Sequence, residues 1–195
     1  KNSEYAPLYL ESVAHIYEKI GELHKAKDTL EQALEKFPKD ENLMFSLGAL
    51  QQKYGNDQES LHIMQEILNL NPDNAQALNF VGYILAEQGE RLDEAEKLVQ
   101  KALLLKPRDS YIIDSLGWVY FKQGNYHKAL AHLHKAAEQS PEEAVIWEHL
   151  GDVYQKISDK EKAREMYHRA LQFTSNQSTI KILKQKINST SLNMN

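Results

Sequence analysis

Eight histidines and 28 acidic residues are the side chains of this 195-residue chain with the widest chemical scope, and their spacing disfavours each catalytic use. His132 and His134 are two residues apart, so on a helix they do not share a face. His15 and His24 fall in different helices, and His24, His127 and His168 fall on polar faces, where solvation is a simpler reading than a zinc site completed by nearby acids. Asp109, Asp114 and Asp152 lack calcium-loop spacing. Asp114 and Asp152 come nearest to a carboxylate pair, but capping or solubility accounts better for both. There is no GxSxG turn and no glycine-rich phosphate loop. With no cysteine, disulfides, thiolate nucleophiles and Cys-based metal sites are excluded. The expectation is therefore a chain without catalytic residues, metal or cofactor.

The elements that carry these side chains repeat. Small residues follow an apolar one at Val13-Ala14, Leu47-Gly48, Val81-Gly82, Leu116-Gly117 and Leu150-Gly151, on a 34-residue period. Ala26, Ser60, Ala95, Ala129 and Ala163 form a second series, and Ala33, Ile67, Ala102, Ala136 and Ala170 a third. Pro38, Pro72, Pro107 and Pro141 mark turns, with Ser175 where a fifth proline is expected. The units are read as 7–40, 41–74, 75–109, 110–143 and 144–177, the third carrying an extra residue near Glu90-Arg91-Leu92. In the fourth, Ile113, Leu116, Gly117 and Tyr120 share one helical face. Gly124-Asn125 ends that helix, and Ala129, Leu133 and Ala136 line the next. Residues 178–188 are expected to close the stack as a short helix, with 189–195 fraying, while Tyr5, Leu8 and Leu10 are expected to face a preceding unit.

These series resemble the tetratricopeptide repeat over about residues 7–177. The resemblance implies an all-α, right-handed superhelical stack of about five helix-turn-helix units, with 1–195 as one domain and a role in binding proteins. Trp147, Tyr17, Tyr120, Tyr154 and Tyr167 hold packing positions. Phe45, Tyr83, Tyr111, Trp118 and Phe121 fall at unit positions 2, 5, 9 and 12, which line the concave surface in this family. Together with Asn79 and Asp114 they form the candidate peptide-binding groove, aromatic rings being frequent interface anchors. Packing between adjacent first helices is the competing use of the same rings. The Lys and Asn clamp by which one subgroup holds carboxyl-terminal tails is missing, since position 5 carries Glu11, Phe45, Asn79, Asp114 and Glu148.

The stretch Asn79 to Ala86, the longer turn Gly89 to Ala95, and Leu105 to Tyr120 resemble bacterial envelope repeat lipoproteins, some of which are adaptors of C-terminal processing proteases. That resemblance covers roughly 75–165 and implies a protease partner and a periplasmic or outer-membrane-associated setting, with the cytoplasm as the alternative. The alternative to a binding scaffold is an assembly protein whose groove is filled by its own chain or another copy. With 23 basic against 28 acidic residues, net −5, there is no basic stripe for nucleic acid, and Lys181–Lys186 reads as a solvated helix face. No apolar run reaches the ~20 residues of a membrane span.

Overall fold

The computed structural model describes residues 6–191, and the regular structure among them is entirely α-helical. The helices are α1 (Ala6–Lys19), α2 (Leu23–Lys36), α3 (Glu41–Lys53), α4 (Asp57–Leu70), α5 (Ala75–Gln88), α6 (Leu92–Leu105), α7 (Ser110–Lys122), α8 (Tyr126–Gln139), α9 (Ala144–Lys156), α10 (Lys160–Gln172) and α11 (Gln177–Ser191). None exceeds 15 residues, a length at which an isolated helix is marginal in water, so packing must hold each in place. None is long and apolar enough to cross a membrane among the described residues.

Local chemistry sets where the helices start and stop. The carboxylate of Asp40 accepts from the backbone N–H groups of Asn42 and Leu43 at 3.1 and 3.0 Å, and Asp109 caps α7 through Tyr111 and Ile112. Gly124 ends α7 at φ 77°, the left-handed region that favours glycine. Ser158 stands at the same place in the fifth unit with φ 67°, at a cost of about 1 kcal/mol that glycine would not bear. The extra residue of the third unit is absorbed in the turn before α6, where Arg91 takes φ 49°.

The chain divides between Val81 and Gly82, within α5, into two compact units. In the first, Ala26, Leu30 and Ala33 of α2 pack with Leu43, Leu47 and Leu50 of α3 and Ile63, Met64 and Ile67 of α4. In the second, Val99, Ile113, Leu133, Ile146, Leu150 and Leu183 are fully buried. Small residues let paired helices touch there: a Cβ on Gly117 would lie 2.7 Å from Leu133, and one on Gly151 would lie 2.3 Å from the Tyr167 ring.

The ends differ from the sequence reading. The closing helix runs through Ser191, longer than residues 178–188, so Ser189 and Thr190 are helical, and 192–195 lie outside the described residues. Leu10 packs half-buried on the first unit's own core, while Leu8 is 61% exposed; Tyr5 lies outside the described residues. Lys186 is no solvated face residue, because it joins both Glu148 and Asp152 of α9 at 2.7 Å. Those two carboxylates raise the lysine pKa against the opposing effect of its burial. Lys186→Met is expected to loosen α11 selectively, read as faster amide exchange across 177–191 with α7 and α8 unchanged.

Candidate protein-interaction surface

In the first unit the side-by-side first helices α1 and α3 leave a cleft of about 580 Å³. Its floor is Ala14, Leu30, Ala49 and Leu50, with Phe45 along one side. Its rim is charged: Ser46 donates to Glu11 at 2.8 Å, and Lys53 pairs with Glu18. What remains open is an apolar slot bordered by polar groups, a common form of ligand site. The Phe45 ring also meets Phe80 edge-on at 5.8 Å, so its orientation is fixed from within the same unit. Asn79, one residue before, holds a buried side-chain oxygen with no hydrogen-bond partner among the described residues.

The second unit uses its candidate residues differently. Trp118 is only 8% exposed, its indole stacked on the rings of His149 and Phe121 at 4.0 and 4.7 Å. Its Nε1–H donates to Glu87, which also pairs with Lys122. Trp118 therefore braces α7 against α5 and α9, leaving little of the indole for a ligand. Asp114 is equally buried, with both carboxylate oxygens against Nδ1 of His149 at 2.9 and 3.1 Å. Burial works against a charge on His149, but the Asp114 carboxylate, helped by Asp152 and Glu148, outweighs it and raises the imidazole pKa. Tyr83 is half-buried, its hydroxyl pKa pushed up by burial and then by the carboxylates of Glu87, Asp114 and Glu148. Tyr111 is the open ring, 53% exposed, and its hydroxyl donates to Glu143, which raises its pKa to about 12.

The carboxylates Asp114 and Asp152 do not form a pair. Asp114 faces His149, while Asp152 accepts from Lys186 and from the Tyr167 hydroxyl at 2.8 Å. Among the described residues no group of three or more His, Asp or Glu side chains is placed to hold a metal. His15, His24, His127 and His168 are exposed.

His149 is the residue that sequence reasoning missed. Asp114 and His149 occupy positions 5 and 6 of successive units, 35 residues apart. The same offset joins Glu11 to Ser46 and Phe45 to Phe80. At these three places neighbouring first helices meet with a one-residue slip, so comparing equal positions passes over the contact.

Comparison with known proteins bears on the family and the fold. Two models described as tetratricopeptide repeat match residues 2–146 and 120–187. The TPR repeat-containing protein PA4667 of Pseudomonas aeruginosa is 34% identical over 115 residues, 59% of this chain and 20% of that protein. TTC0263, a thermophilic tetratricopeptide protein of Thermus thermophilus, matches with TM-score 0.81 at 21% identity, over 96% of this chain and 100% of that one. PilW, a widely conserved type IV pilus biogenesis factor, matches with TM-score 0.77 at 20% identity, over 100% of this chain and 89% of that one. At those identities the structural likeness shows the fold alone. The chain spans between 14% and 30% of the length of the curated relatives it matches. Proteins of this repeat type generally mediate protein–protein interaction and are generally non-catalytic. From its paired helices, its 34-residue period and these matches, the chain belongs to the tetratricopeptide-repeat family.

Proposed function

We propose that the chain is a single non-catalytic interaction domain that holds a segment of another protein against its first helices. The observation that carries this reading is the apolar slot of about 580 Å³ between α1 and α3, at whose rim Glu18 pairs with Lys53 and Glu11 accepts from Ser46. Such a slot suits an apolar anchor side chain, because its floor is hydrocarbon. Phe45 supplies the ring. Tyr83, Tyr111 and Phe121 supply a further surface in the second unit, with Asp114 and Trp118 supporting it from beneath. A C-terminal processing protease in the bacterial envelope, as the source of the segment, rests on the resemblance of residues 75–165.

A photo-crosslinking residue at Ala49, compared with one at exposed Lys135, tests the site in native extract. The Ala49 probe is expected to capture a foreign protein segment. Ala49→Trp, which fills the slot, is expected to weaken binding of that segment, made as a peptide, at least about tenfold by calorimetry. Capture only from Lys135 would place binding elsewhere. Capture of the chain by itself would favour the assembly reading instead.

A further inference from the structure

The slot between α1 and α3 holds one charge that the chain does not balance. Its lining includes two carboxylates, Glu11 and Glu18, and one lysine, Lys53. Lys53 pairs with Glu18, which Nδ1 of His15 also approaches, at 3.7 Å. Glu11 meets Ser46 instead. A hydroxyl donates a hydrogen bond but brings no charge, and among the described residues no Lys, Arg or His pairs with Glu11. The residue is half-buried beside an apolar floor. A carboxylate so placed is less hydrated than one in open water, so a cation brought to it is held more strongly than at an exposed site.

The other acids at this repeat position are treated differently. Position 5 is acidic three times, at Glu11, Asp114 and Glu148. Asp114 of α7 is matched by His149 of α9 at 2.9 Å, and Glu148 of α9 by Lys186 of α11 at 2.7 Å. Each time the matching group comes from the helix two further along the chain. For Glu11 of α1 that helix is α3, and what it offers is Ser46. The one position-5 carboxylate left without a cation is thus the one that lines the open slot.

Taking the slot as the place where a segment of another protein binds, we propose that this segment carries a lysine or arginine beside its apolar anchor and sets that cation on Glu11. The anchor occupies the floor of Ala14, Leu30, Ala49 and Leu50. The methylene stem of the neighbouring base lies along Phe45 while its charged head stays at the rim, the usual division of a long basic side chain. The same carboxylate selects against acidic segments, since Lys53, held by Glu18, offers them little in return.

Peptides selected on the parent chain from a random displayed library, and depleted of those that also bind Ala49→Trp, test this. The slot-dependent peptides are expected to share an apolar residue with Lys or Arg next to it. Replacing that base with Gln is expected to weaken binding to the parent by about tenfold or more in calorimetry, and to leave binding to Glu11→Gln unchanged. Glu11→Lys is expected to reverse the preference, binding the same peptide better with Glu in place of the base. Glu11→Gln keeps an acceptor for Ser46, so its melting temperature is expected to stay within about 2 °C of the parent's. Slot-dependent peptides without a base, or an equal loss from the Gln replacement on the parent and on Glu11→Gln, would overturn the role of Glu11 and leave the slot standing. Recovery of no peptide sensitive to Ala49→Trp would overturn both. A parent dimer in sedimentation that Ala49→Trp breaks would give the slot to a second copy and overturn the proposal as well.

Discussion

Asp114→Ala is expected to lower the free energy of unfolding by about 3–5 kcal/mol, the usual cost of leaving one member of a buried ion pair alone. The pair is enclosed on all sides: Asp114 and His149 are each 5% exposed, and the imidazole lies flat on Trp118 at 4.0 Å. Removing the carboxylate strands a buried imidazolium or forces it to give up its proton. Denaturant titration just below the ordinary histidine pKa of about 6.5, where the imidazole is charged, measures the loss. A change below about 1 kcal/mol, the range of exposed pairs, would show that the pair is not desolvated in solution.

The same pair fixes a pH dependence. The folded state holds the His149 pKa above its ordinary value, mainly because the Asp114 carboxylate overcomes burial. A raised histidine pKa means that the folded chain keeps a proton the unfolded chain releases. Its contribution is fully present below the unfolded value near 6.5 and is lost as pH rises through the folded value. Melting temperature is therefore expected to fall across that alkaline window in the native chain. Asp114→Asn, which removes the main source of the shift, is expected to flatten that part of the profile. An identical slope in the variant would assign the dependence to other groups.

Gly151→Leu is expected to cost about 3 kcal/mol or more, the upper end of overpacking. Even a bare Cβ there would lie 2.3 Å from Tyr167 Cε1. The ring has no room to swing aside. It is fully buried, and its hydroxyl is fixed on Asp152 and Gln155, both at 2.8 Å. Gly117→Leu meets Cγ and Cδ2 of Leu133 instead, at 2.7 and 2.9 Å, a side chain that no hydrogen bond anchors, and is expected to cost less. Urea midpoints of the two variants compare these environments directly. Equal and small effects would mean that the paired helices are farther apart than the structure shows.

The fold was legible because its signals are local and periodic. Leu116-Gly117 with Ala129 and Leu133 marks two faces that must touch, and Asp109 before Ser110 marks a helix start. The capping carboxylate there is that of Asp109. The closing helix was harder to bound, because Ser189 and Thr190 are poor helix formers whose hydroxyls turn back to Lys186 and Ile187 carbonyls, at 2.7 and 2.6 Å. The candidate groove was legible as a set of positions, not as a set of exposures. Nothing in the spacing of Trp118 tells that His149 lies on its ring, since that depends on how neighbouring units slide. The cleft beside Ala49 was invisible for a related reason: a small residue leaves room only when the helices around it are known.

That slide gives the array a grammar. At three junctions position 5 of one repeat addresses position 6 of the next, each time with a different word: carboxylate to hydroxyl at Glu11 and Ser46, ring to ring at Phe45 and Phe80, and carboxylate to imidazole at Asp114 and His149. Interchanging units with the same backbone would set Phe45 against His149, or Asp114 against Phe80, and leave charge facing hydrocarbon. Units alike in outline are thus not interchangeable parts, and their order is written in the side chains that join them.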